Sequence, residues 1–160
     1  MSIYITFLIP GPAVGKQEAA RLGHTKAGKL IGCIYTKTKS RTYMKHVAEC
    51  ARQAIRDLKY TDLPTDDPLS IEIIAFFARP KSVPLTRKYP INPVDCTNIQ
   101  KGIEDALHKP DPIVFKNDCH VTDIHTSKRY CGEGMEPHTR VEIWTTGTKR
   151  YDIKRGGPKV

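Results

Sequence analysis

Acidic residues are the scarcer charged class in this chain: 17 Asp and Glu stand against 26 Lys and Arg in 160 residues, a net charge of +9. That balance disfavours a cationic partner and favours a polyanion. Cysteines are few and odd in number: Cys33, Cys50, Cys96, Cys119 and Cys131 form no CxxC pair. Neither a complete disulfide framework nor a zinc ribbon follows from them, so reduced thiols in a cytoplasmic setting are expected. The opening apolar run, Ile3 to Ile9, lacks a basic flank and is too short for a signal core or a membrane span, so no membrane association is expected. No internal repeat is visible. With 39% hydrophobic residues the chain can close one modest core, which implies a single domain, residues 1–146, followed by a basic tail at 147–160.

Alternation of Ile3, Ile5, Phe7 and Ile9 with Tyr4, Thr6 and Leu8 predicts a strand over residues 2–9, ended by Pro10-Gly11-Pro12. From Pro10 to Lys45 the chain carries eight cationic side chains against Glu18 alone, with a short strand expected from Leu30 to Thr36. Between Ser40 and Lys59, Tyr43, Val47, Cys50, Ala51, Ala54, Ile55 and Leu58 recur at three and four, the stripe of an amphipathic helix. Leu69 to Ala78 is apolar on both faces and reads as a buried strand. The Pro-rich segment 79–94, with Arg79, Lys81, Arg87 and Lys88, reads as a mobile basic loop. A second helix is expected from Asn98 to about His108, capped by Thr97, with Gln100 completing a capping box. A short apolar segment, Ile113 to Phe115, and strands within Cys119–Tyr130 and Thr139–Thr146 complete the chain. The expected class is α+β: a mixed, largely antiparallel sheet with two principal helices, ordered β-β-α-β-α-β-β, with an extra short strand possible near Ile113.

Two segments carry the chemistry. Asp95 precedes the second helix, Lys101 lies one turn above Thr97 on its exposed side, and Asp118 opens the next strand. If that strand lies beside the start of the helix, Asp95 and Asp118 converge, and their hard oxygens suit Mg²⁺, with Mn²⁺ as a substitute. Such a site activates water and stabilises the in-line transition state of phosphodiester hydrolysis, with a lysine at its rim to offset phosphate charge. Read on spacing alone, two scattered aspartates are more often a helix cap and a surface charge than a metal site. Lys16, Arg21 and the Arg79 to Lys88 loop, with Lys81 and Arg87, are candidates for DNA phosphate contact; solvated surface charge is the bland alternative.

These residues also resemble a known family, the RusA-like Holliday junction resolvases, including their many phage and prophage members. The run Val94-Asp95-Cys96-Thr97-Asn98-Ile99-Gln100-Lys101, then Asp105-Ala106-Leu107, then Asn117-Asp118-Cys119-His120-Val121 is similar to that family's P-D-x-D-N-x-x-K, D-A-L and D-D-x-Q-V elements. Phe7 to Lys16 resembles its F-x-V-P-G-x-P-x-G-K opening, and Tyr35 to Tyr43 its Y-T-x-x-x-T-x-x-Y run into the first helix. The resemblance spans residues 3–125 and implies a homodimer that binds a four-way junction and makes paired symmetric nicks with Mg²⁺ or Mn²⁺. Carried over by position, Asp95 and Asp118 are metal ligands or orient water, and Lys101 stabilises the scissile phosphate. Asn98 and Asp105 match patterned positions in supporting roles.

Two departures stand out. Thr97 replaces the second aspartate of D-x-D-N, and Asn117 the first of D-D. A hydroxyl attracts a cation less strongly than a carboxylate but can support a metal-bound water. Asp123 is a candidate replacement acid, although five residues beyond Asp118 it should point to the opposite face of a regular strand. Cys96, Cys119, His120, His125 and Cys131 match no zinc-finger or ribbon spacing, and neither Cys96 nor Cys119 has an identifiable base to make it a nucleophile. A second class therefore stays open, a junction-binding protein that has lost cleavage through the Thr97 change. A third, an RNA-binding protein, is disfavoured by aspartates beside the basic stretches.

Overall fold

The computed structural model describes residues 2–91 and 94–148. Pro93 and all but the first two residues of the basic tail lie outside them.

Among the described residues there are eight principal elements, ordered β-β-β-α-β-α-β-β: β1 (Tyr4–Pro10), β2 (Glu18–His24), β3 (Leu30–Thr36), α1 (Thr38–Leu58), β4 (Leu69–Phe77), α2 (Cys96–His108), β5 (Val121–Tyr130) and β6 (His138–Thr145). Four strands form one sheet in the order β1-β6-β4-β5. The β1/β6 and β6/β4 pairs are antiparallel, and β4/β5 is parallel. A parallel neighbour needs a crossover, and α2 supplies it, which carries the helix back over the sheet.

Period-2 sequence becomes burial directly in β1, where Ile5, Phe7 and Ile9 are buried and Thr6 and Leu8 exposed. In register, Ile5 faces Ile143 and Phe7 faces Val141, while Ile71 and Ile73 of β4 meet the same two residues from the other side. Val47 and Ala51 of α1 and Ile99 and Ile103 of α2 close over this face to make one core. Strand β4 is buried along almost its whole length, as its two-sided apolar sequence requires. Among the described residues no helix is long and apolar enough to cross a membrane.

Four local expectations are corrected. Strand β2 was not anticipated; its residues show no alternation because the β2/β3 ribbon leaves both faces largely exposed. Helix α2 starts at Cys96 with Asp95 as the N-cap residue, not Thr97: the Asp95 carbonyl accepts from the amides of Asn98 and Ile99, both at 3.1 Å, and no side chain caps the helix. Asp118 lies in a single 3-10 turn, Asp118–His120, ahead of β5 rather than in the strand. Ile113 to Phe115 is buried but forms no strand, only an isolated bridge between Phe115 and Thr65.

Candidate active site

The first turn of α2 is held from two sides. From β5, Lys128 Nζ donates to the Val94 carbonyl at 2.9 Å. From the opposite side comes the Pro10 to Lys16 segment, whose Lys16 amide donates to the Asn98 carbonyl at 2.8 Å. Gly15 makes that approach possible, because a Cβ there would stand 2.5 Å from Val94 Cγ1 and 2.8 Å from Asn98 Cβ. Ser40 of α1 donates its hydroxyl to the Gly15 carbonyl at 2.9 Å and accepts from the Gln17 amide at 3.1 Å. The P-G-x-x-x-G-K opening is therefore a strap joining the starts of both helices.

Lys16 ends the strap between two carboxylates, 2.6 Å from Asp105 Oδ2 and 2.8 Å from Glu18 Oε1. Asp105 is buried and also accepts from Lys109 at 3.1 Å. Burial pushes the Asp105 carboxyl up, but the bonds from Lys16 and Lys109 outweigh it and hold it below the ordinary carboxylate range. Burial likewise works against the Lys16 ammonium, and its two acid partners overcome that and raise its pKa. Asp105 therefore supports the strap, and Lys16, a candidate phosphate contact, spends its charge inside the protein.

Along the other side of α2, Thr97, Gln100, Lys101 and Glu104 follow one another at three- and four-residue steps and so share a stripe. Asp95, Thr97 and Lys101 are exposed. Strand β5 and the turn before it run antiparallel to this stripe: Lys128 meets Val94, Thr126 donates to Gln100 at 3.5 Å, and the Asp118 charge acts on Glu104. Burial first, then Asp118, push the half-buried Glu104 carboxyl above its usual range. Asp95 thus marks the start of the stripe, and Asp118 stands beside Glu104, nine residues or about 14 Å of helix rise further along. Asp118 is itself exposed.

Asp123 lies apart from this seam. Ile124, packed against the core, and Thr126 and Lys128 face α2, so the alternate residue Asp123 is turned to the other side of the sheet. The ladder is also irregular where Asp123 pairs with Ser70. All five cysteines are free. Among the described residues no group of three or more His, Cys, Asp or Glu side chains is placed to hold a metal.

The basic segments divide in the same way. Arg79 stacks over the Tyr130 ring at 4.2 Å and donates to the carbonyls of Pro84 at 2.9 Å and Arg87 at 2.8 Å, so it organises the 79–91 loop. Lys81, Arg87 and Lys88 on that loop, and Arg21 on β2, are exposed.

Residues 10–144 match the family model for endodeoxyribonuclease RusA. The chain belongs to the RusA endodeoxyribonuclease family. A search of curated proteins found no match. The match runs from the strap through both helices to the last strand, so it includes every element that builds the α2 seam, and RusA membership places the chain among DNA-cleaving hydrolases.

Sequence reasoning reached Asp95, Thr97, Lys101, Asp105 and Asp118, but missed Gln100, Glu104 and Lys128 as seam residues. Glu104 had a usable signal: it lies seven residues after Thr97 and three after Lys101, on the same helix stripe. Lys128 had none, since its partner is a backbone carbonyl fixed only by the fold.

Proposed function

We propose that this chain is a Mg²⁺-dependent, structure-specific endonuclease that resolves four-way and other branched DNA junctions by paired nicks, acting as a homodimer in recombination, repair or phage DNA processing. The observation that carries the reading is the group of exposed residues Asp95, Thr97 and Lys101 at the start of α2, with Asp118 at the other end of the α2/β5 seam, within a RusA-family chain.

The donor chemistry fits a hard divalent cation. Mg²⁺ commonly takes only one or two protein carboxylates, retains water and completes its shell with substrate phosphate, so a dense protein cage is not required. Asp118 at one end of the seam, or Asp95 with Thr97 engaging a bound water at the other, would hold it; about 14 Å of helix rise lies between the two ends, so the two aspartates would not share one ion. Burial first, then the charges of Asp118 and Asp105, raise the Glu104 carboxyl, and a cation at that end of the seam would relieve the repulsion. When bound, the metal supplies Lewis acidity and a water of lowered pKa.

The protein's own groups do the rest. No side chain caps α2 and its Asn98 and Ile99 amides already donate to the Asp95 carbonyl, so the amides of Cys96 and Thr97, with the positive end of the helix dipole, are what the helix start would offer a phosphate oxygen. Lys101, one turn further on, offers its ammonium to charge developing on the non-bridging oxygens. Thr97 places a hydroxyl between them without the repulsion a second carboxylate would bring. Lys128 and the Gly15–Lys16 strap hold the start of α2 fixed, so these donors need no reorganisation as charge develops. Lys81, Arg87 and Lys88 on the 79–91 loop, and Arg21 on β2, are exposed and would follow the DNA backbone.

Thr97 in place of an aspartate gives specific support to a second reading, a junction-binding protein without cleavage. Incubation of the purified protein with a synthetic four-way junction and Mg²⁺ or Mn²⁺ separates the two. Nicking by the wild type, lost in Asp95→Asn and Asp118→Asn while junction binding persists, supports the nuclease; junction binding without nicking under either metal supports the binding protein.

A further inference from the structure

A cavity of about 540 Å³ opens at the carboxyl ends of the parallel pair β4 and β5. Phe77 and Tyr130, paired as the last residues of those strands, line it together with Val83, Arg87 and Ile91 of the 79–91 loop and Pro12 of the strap. Ligands of open sheets with parallel strands bind in this position, outside the carboxyl ends and beside the start of the connecting helix. Here that helix is α2. Ile91 is four residues before Asp95, so their Cα atoms are at most about 14 Å apart. Tyr130 lies two residues along β5 from Lys128, whose Nζ holds the Val94 carbonyl at 2.9 Å. DNA whose phosphate meets the start of α2 therefore carries its neighbouring nucleotides past the cavity.

Polarity selects the occupant. Among the described residues that line the cavity only Arg87 is charged, whereas the chain from Ala78 to Val94 holds Arg79, Lys81, Arg87 and Lys88 and no Asp or Glu. Apolar walls with an aromatic ring suit the flat face of a nucleobase, and cations on the surrounding loop suit the phosphates on either side of it. A neutral apolar peptide would use the walls and leave those cations without a counter-charge, and the polyanion on which a RusA-family chain acts is DNA. The loop is also held ready. Arg79 stacks over Tyr130 at 4.2 Å and donates to the Pro84 and Arg87 carbonyls, so little ordering is left for binding to supply.

We infer that the cavity takes a nucleobase unstacked at the branch point, a few nucleotides from the phosphate that meets the start of α2. Drawing a base out of continuous duplex costs stacking and pairing energy, and the cost is least where the stack is already broken. A base site beside the point of cleavage therefore favours branched over continuous DNA. The inference rests on the nuclease reading above and names a contact by which that nuclease selects its substrate.

The test is the affinity of the full chain for a synthetic four-way junction, read by fluorescence anisotropy in EDTA so that binding is separated from nicking. Abasic sites are introduced one at a time at the positions flanking the branch. The wild type is expected to lose about fivefold or more in affinity at one of them. The double variant Val83→Ser with Ile91→Ser, at a half-buried and a 71% exposed position, should bind the intact junction more weakly by a similar factor and be indifferent to that abasic site, with far-UV circular dichroism unchanged. Leu85→Ser, a similar change at an 84% exposed residue of the same loop outside the cavity, should behave as the wild type does. A base dependence that survives in the double variant overturns the inference. So does a wild type indifferent to every abasic site; self-association or binding to phosphatidylglycerol vesicles, lost in the double variant, would then assign the cavity to a second copy or to a lipid. Nicking of the junction in Mg²⁺ by that same wild type leaves the nuclease reading standing, whereas no nicking and no preference for the junction over duplex overturns both.

Discussion

Replacing Asp105 by Asn tests whether the strap is held by charge or merely by shape. In the wild type the Asp105 carboxylate is buried and accepts from Lys16 at 2.6 Å and Lys109 at 3.1 Å. Lys16 is itself 13% exposed, so removing its partner's charge leaves an ammonium in poor contact with water and paired with Glu18 alone. Breaking one side of a buried pair typically costs about 3 to 5 kcal/mol. Glu18 still compensates Lys16, the amide keeps a hydrogen-bond acceptor, and Lys109 is 57% exposed, so its bond adds at most about 1 kcal/mol. The expected loss is about 2 kcal/mol at pH 7, read as a lower urea midpoint at unchanged slope. The pH dependence gives the sharper readout. Because the folded-state carboxyl titrates below its ordinary value of 3.8, its contribution is fully present above that value and is lost as pH falls through the folded-state value. Urea curves of wild type and Asp105→Asn should therefore separate at pH 7 and draw together only as pH falls below 3.8 through the folded-state value. Equal stability at pH 7, or a gap that does not change with pH, would refute the reasoning.

Three further outcomes follow from the geometry. Gly15→Ala forces a methyl to within 2.5 Å of Val94, and a lower melting temperature equivalent to about 1 to 3 kcal/mol is expected in a calorimetric scan; an unchanged melt would mean that the strap can move aside freely. Lys101→Met should leave the melt unchanged while slowing junction nicking about a hundredfold or more in single-turnover assays. Arg79→Met removes the bonds to Pro84 and Arg87 and should speed thermolysin cleavage within residues 79–91 severalfold, as local opening there becomes less costly.

Much of the fold is legible where one face of an element is buried. Ile3, Ile5, Phe7 and Ile9 mark β1, the three-and-four spacing from Tyr43 to Leu58 marks α1, and the two-sided apolar run of β4 marks a central strand. The same logic hides β2, because a strand with both faces in water has no reason to alternate. At the start of α2, Asp95 and Thr97 are both competent capping residues two positions apart, and only the backbone bonds to Asn98 and Ile99 decide between them. The motif residues of the candidate site stood out as residue types at set spacings, but their partners did not. That Gly15 must be small, that Asp105 neutralises Lys16, and that Asp118 faces Glu104 depend on the crossover from β4 through α2 to β5, which no local pattern encodes.

The central claim is that a divalent cation works along the α2/β5 seam, and a Mn²⁺ soak of crystals with anomalous scattering recorded at the manganese edge tests it most directly. An anomalous peak in contact with the carboxylate of Asp118 or Asp95, lost in crystals of the corresponding Asn variant, is the predicted result. A peak confined to other acids, or none at a Mn²⁺ concentration that supports junction nicking in solution, would contradict it.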